Sequence, residues 1–199
     1  MKTSFVIRRI GAFAIAILLL VSAALFAGCG KKQNGNTART VTVENGRTFY
    51  QDDYVRIDLP DGYFVAVDNT ESMGNAYHAY LMFKQESDFT GSQIVYYSML
   101  MKATVYENMQ TSREYVEAQL LKNFKDRPVE ITGFRNITQE NCKGYIVEYK
   151  TSASGHDITQ IIVNAVASSG KFVNFTFNCA DDSLLESMRA AADSITLNN

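Results

Sequence analysis

"GYIVEYKTSASGHDITQIIVNAVASSGKFVNFTFNC" runs from Gly144 to Cys179, and its reading decides the fold. Tyr, Val, Ile and Phe recur in it with a period of two, the spacing at which side chains of an extended strand return to one face. Three strands are predicted, over 143–151, 157–167 and 171–178, separated by turn residues at 152–155 and 168–170. Connections this short join antiparallel neighbours, because a parallel crossover needs a dozen or more residues.

The same period continues upstream. Strands are predicted near 54–59, 63–67, 76–85, 93–105 and 130–139, divided by Pro60-Asp61-Gly62, Gly91-Ser92 and the turn at 141–144. "VTV" at 41–43 is a candidate first short strand. Two segments instead read as helices. In "TSRE", Thr111 is placed to cap the backbone and Glu114 to return the bond, opening a helix to about Asp126 with Val116, Leu120 and Phe124 as its buried stripe. Asp181-Asp182-Ser183 suits the positive end of a second helix, whose core face is Leu184, Leu185, Met188, Ala192 and Ile195. An antiparallel sheet flanked by helices, class α+β, follows.

The 199 residues fit one folded domain behind a leader. Lys2, Arg8 and Arg9 precede an uncharged apolar run from Ile10 to Ala27, the pattern of an export signal. Three of the 19 basic residues lie in that leader, so 16 remain against 21 acidic ones, a net charge of −5 that disfavours a nucleic-acid partner. The apolar run is just long enough to span a bilayer, so an uncleaved helix is one alternative and a soluble secreted product another. Lys31 and Lys32 beyond the run argue against a retained span by the positive-inside rule.

"LFAGC" at 25–29 resembles the bacterial lipoprotein signal, with Phe26 where leucine usually stands and Leu25 one place earlier. That resemblance makes 1–28 a cleaved signal peptide and Cys29 the lipidated first residue, held at the outer face of the cytoplasmic membrane by a diacylglyceryl group. Two acyl chains make a durable anchor, whereas one binds reversibly. Residues 29–47, rich in Gly, Asn, Thr and Lys, read as a tether, and 48–199 as the globular domain.

Cys142 and Cys179 fall at opposite ends of the predicted meander, so two free thiols are expected rather than a disulfide. His78 and His156 are the only histidines, which leaves little for zinc or for a nucleophile and base pair. His78 is read as a surface residue. Ser152, His156 and Asp157 have the residue types of a hydrolytic triad but crowd one turn, and a triad draws its members from separate elements. Asp52, Asp53, Asp58 and Asp61 lack calcium-loop spacing. No catalytic set, cofactor site or metal site is expected. Tyr77, Tyr80, Tyr96, Tyr97 and Tyr106 lie on or near adjacent strands, and Tyr80, Tyr96 and Tyr97 are the candidate interaction surface. The loops 68–75 and 85–92 are long enough to carry a binding site.

"YVRIDLPDGY" at 54–63, "GYIVEY" at 144–149 and "FVNFTFNCADD" at 172–182, leading into a last helix ending "ADSI", together resemble the PsbP-like family over residues 48–197. The resemblance implies an α/β/α sandwich and a non-enzymatic binding or assembly role, with a protein partner of unknown identity; it assigns no functional residue. A small-ligand-binding envelope lipoprotein and an envelope hydrolase are the competing readings.

Overall fold

The computed structural model describes residues 40–73, 77–85, 91–124, 127–153 and 156–198. The leader, Cys29 and most of the tether lie outside the described residues, as do parts of both long loops and residues 154–155 of the predicted turn.

In chain order the strands are β1 (Thr40–Glu44), β2 (Arg47–Gln51), β3 (Val55–Leu59), β4 (Tyr63–Asp68), β5 (Ala79–Gln85) and β6 (Gln93–Leu100). Helices α1 (Ala103–Asn108) and α2 (Arg113–Asn123) follow. Then come β7 (Val129–Asn136), β8 (Cys142–Ala153), β9 (His156–Ala167), β10 (Lys171–Cys179), helix α3 (Leu185–Asp193) and β11 (Thr196–Leu197). A four-stranded sheet has the order β1-β2-β3-β11, and a seven-stranded sheet has the order β4-β5-β6-β10-β9-β8-β7. Every pairing is antiparallel.

The inward parity of the large sheet supplies Phe83, Ile94, Tyr96, Val163, Phe175 and Phe177, all essentially sealed from water. They pack with Tyr50 and Ile57 of the small sheet and with Met188 and Ala192 of α3. On the outward face α2 lays Val116 and Leu120 against Val147 and Tyr149, with Phe124, Ile131 and Phe134 alongside. Burial of those two helix side chains contributes roughly 3 to 6 kcal/mol of apolar stabilisation. A bulge between Ile131 and Gly133 lets Ile131 and Phe134 share one face although they stand three apart.

Several expectations are corrected. Thr40–Glu44 and Arg47–Gln51 are strands, so sheet structure reaches back before residue 48. Asn45 and Gly46 join them with φ of 52° and 76°, the left-handed pair that a two-residue hairpin turn requires. The sixth strand stops at Leu100 rather than at 105, and Ala103–Asn108 turns into a short helix. Ser112, not Thr111, caps α2: its hydroxyl accepts from Tyr115 N at 3.3 Å, so Glu114 does not close the expected box. As expected, Cys142 opposite Ala167 and Cys179 opposite Thr159 mark the two ends of the meander, and both thiols are free.

One polar knot ties the two sheets together. The Asp52 side chain is fully buried. Its Oδ2 accepts from the hydroxyls of Tyr50 at 2.9 Å and Tyr96 at 2.8 Å, and its Oδ1 from the backbone N–H of Tyr54 at 2.7 Å and Val55 at 2.9 Å. Asn198 donates its Nδ2 to the Asp52 carbonyl at 2.7 Å, and Lys171 Nζ bridges the carbonyls of Asp53 and Asn198. His78 is no plain surface residue: its ring stacks on Tyr54 at 4.1 Å, with Nε2 4.0 Å from Asp52 Oδ2. At the other side of α3, Arg189 forks onto Glu148 at 2.7 and 2.8 Å, which holds the Glu148 carboxyl below its usual range.

Replacing Asp52 with alanine leaves four buried donors without their acceptor, and urea unfolding is expected to show a loss of roughly 3 to 5 kcal/mol. A second expectation concerns alkali. Burial raises the pKa of Tyr96 and Tyr149 and pushes the Cys142 thiol up to about 11. The folded chain keeps protons that the unfolded chain sheds, so stability is full below the unfolded pKa values and falls as pH rises from about 9 toward 11 and beyond. Denaturant midpoints measured across that range are expected to decline.

Candidate functional site

Strand pairing lines up one transverse row on the outward face of the large sheet. Tyr80 of β5 lies opposite Tyr97 of β6, Tyr97 opposite Asn174 of β10, Asn174 opposite Asn164 of β9, and Asn164 opposite Tyr145 of β8. The amides bond along the row: Asn174 Nδ2 donates to Asn164 Oδ1 at 2.6 Å, and Asn164 Nδ2 to the Tyr145 hydroxyl at 2.8 Å. Four residues further along β10 the pattern repeats. The Tyr149 hydroxyl donates to Gln160 Oε1 at 2.5 Å, and Gln160 Nε2 donates to Asn178 Oδ1. Gln160, Asn174 and Asn178 are buried although they sit on the face opposite the core.

At the β5–β6 end of the row the tyrosines cluster. Tyr80 and Tyr97 lie near-parallel with centroids 6.4 Å apart, and Tyr77 stands edge-on to both at 6.2 and 6.0 Å. Phe172 of β10 adds a fourth ring 6.1 Å from Tyr97. All four side chains are part-exposed, whereas α2 covers β7 and β8 on the same face and reaches only Ile162 of β9. Burial, and then the neighbouring phenols, raise the pKa of Tyr80 and Tyr97, so both hydroxyls stay neutral at physiological pH.

The structure thus brings Tyr80 and Tyr97 together and sends Tyr96 to the opposite face, buried against Asp52. Adjacent strand residues point opposite ways, so the three were never able to share a surface. Tyr106 lies apart, beneath Lys143 Nζ at 5.0 Å. Of the triad-like residues, Ser152 and Asp157 pair across the β8–β9 hairpin, Oγ donating to Oδ1 at 2.6 Å, and the His156 side chain lies outside the described residues. Asp181 caps the turn before α3 by accepting from Ser183 N at 2.9 Å. Among the described residues no group of three or more His, Cys, Asp or Glu stands close enough to hold a metal ion. A cavity of about 360 Å³ lies between Lys150, Asp157, Thr159 and the Asp181-Asp182 pair.

The amide rows were missed from sequence, but their signal was present. Gln160 and Asn164 stand four apart on one strand, and Asn174 and Asn178 stand four apart on the next, all on one parity.

Among solved structures, the solution structure of the cyanobacterial PsbP protein CyanoP from Synechocystis sp. PCC 6803 matches with a TM-score of 0.55 and 14% identity, covering 86% of this chain and 98% of that one. That match shows the PsbP-like fold. LpqN of Mycobacterium tuberculosis, described as involved in cell envelope biogenesis, matches with a TM-score of 0.45 and 15% identity over 73% of this chain and 83% of its own. A Pseudomonas aeruginosa protein of unknown function matches with a TM-score of 0.41 and 14% identity over 72% of this chain and 90% of its own. No protein-family model and no curated protein matches the chain. Among the described residues no helix is long and apolar enough to cross a membrane.

If the second amide row carries structural weight, Gln160→Ala strips the buried Tyr149 hydroxyl of its acceptor. Urea unfolding is then expected to register a loss of roughly 1 to 3 kcal/mol, with the secondary structure retained.

Proposed function

We propose that this PsbP-like chain is a non-catalytic binding or assembly lipoprotein, anchored through Cys29 at the outer face of the cytoplasmic membrane, and that the Tyr77, Tyr80 and Tyr97 face is where it engages its partner. The observation that carries this reading is the part-exposed aromatic cluster on strands β5 and β6, which the helices of the opposite half leave open. Phenol rings with a polar tip on a rigid frame lose little conformational entropy on binding, which is why such clusters suit interfaces.

A non-catalytic role is supported by where the titratable groups stand. Asp52 is consumed by four hydrogen bonds, and Glu148 is committed to Arg189. The "LFAGC" motif supports the anchor, and the acidic balance of the remaining chain argues against nucleic acid.

Photo-crosslinking amino acids placed at Tyr80 and Tyr97, in intact cells, are expected to yield a discrete adduct with an envelope component. The same probe at Glu130, on the far edge strand, is expected to yield none. Equal labelling from both positions, or none from either, overturns the assignment of the face. Mass analysis of the membrane fraction tests the anchor separately: a diacylglyceryl group on Cys29 is expected, and an intact Gly28–Cys29 bond refutes it.

A further inference from the structure

The composition of the open sheet face is unusual for a surface that meets another protein. Lys84 near the end of β5 apart, the outward positions from Tyr80 and Met82 on β5 to Ile162 and Asn164 on β9 are uncharged. The rings stand at one end and the amides run away from them across the sheet floor. An ionic ligand finds no counter-charge on the Tyr80–Tyr97–Asn174–Asn164 row, and a purely apolar ligand would bury the amides without offering them partners.

The rows also hold unspent hydrogen-bonding capacity. Asn174 uses one of its two amide hydrogens on Asn164, and Asn164 one on Tyr145. Asn178 spends its carbonyl oxygen on Gln160, and among the described residues nothing accepts from its Nδ2. A ligand that fits is neutral, offers a flat C–H face to the tyrosine rings and carries hydroxyls along its edges for the amides. A pyranose ring has that shape, with its axial C–H bonds on one side and its hydroxyls around the rim.

We infer that the Tyr80–Tyr97–Asn174–Asn164 row binds an uncharged glycan, one sugar stacking on the tyrosines and the next reaching the amides. This rests on the reading of the tyrosine face as the binding face and names the ligand class that face takes.

The chain contains no tryptophan, so its emission comes from its eleven tyrosines, and the Tyr80 and Tyr97 variants assign any change to the cluster. Detergent-solubilised full-length chain is titrated with four neutral tetrasaccharides: chitotetraose, cellotetraose, maltotetraose and mannotetraose. At least one is expected to change the tyrosine emission saturably. Tyr97→Ala and Tyr80→Ala are each expected to weaken that binding by about tenfold or more, the loss of one stacking partner. Tyr97→Phe, which keeps the ring, should retain most of it. Both tyrosines are part-exposed, and circular dichroism of each variant checks that the sheet survives. Saturation by none of the four overturns the glycan, as does a titration unchanged in both alanine variants. Should the saccharides fail while the crosslinkers at Tyr80 and Tyr97 capture a protein, the ligand class is wrong and the binding face stands. Failure of both removes the face as well.

Discussion

A carboxylate taken out of water must find its donors within the chain, and Asp52 finds four of them on three segments. Tyr50 brings the second strand of the small sheet, Tyr54 and Val55 bring the turn into the third, and Tyr96 brings a central strand of the large sheet. An ionised side chain without such donors would cost several kcal/mol, so the two sheets have one mutual placement in which the charge is tolerated. Apolar packing of Phe83, Phe175 and Phe177 supplies bulk stabilisation, but grease slides. The directional bonds to Asp52 set the register in which that grease interlocks.

The large sheet is apolar on one side and mixed on the other. Its inner positions are mainly aromatic and aliphatic side chains, with Ser98 and Thr159 among them, while the outer ones set amides beside phenols along two rows. Buried amides are tolerated there because each has an amide or phenol directly across the neighbouring strand. Such rows stiffen the floor on which Tyr80 and Tyr97 stand. Rings so supported hold their spacing, a property an interface on a loop would lack.

Much of the frame was legible in the sequence. The three meander strands fall within a residue or two of the period-two reading, and Val116, Leu120 and Met188 are buried where helical spacing puts them. Local rules failed at boundaries. Asn45-Gly46 is a strong hairpin signal, yet it sits in a polar stretch that reads as tether, so of the first hairpin only the strand at 41–43 is legible. Period two also forbids Tyr96 and Tyr97 from one face, and the candidate surface ignored that constraint. The Asp52 knot was beyond any local reading: Tyr96 lies 44 residues away and Asn198 lies 146 away, distances across which no periodicity speaks.

That last separation has a consequence for biogenesis. The β3–β11 pairing and the Asn198 bonds to Asp52 and Tyr54 seal the small sheet with residues near position 197, long after β3 has been made. Bringing ends 146 residues apart together costs about 4 kcal/mol of loop entropy, which is repaid only once the downstream strand is present. A nascent chain stalled anywhere before that point holds an unsealed knot and an open core edge. A protease would meet such a fragment with that edge exposed, so the pairing of β11 with β3 is also the step that closes the small sheet to attack.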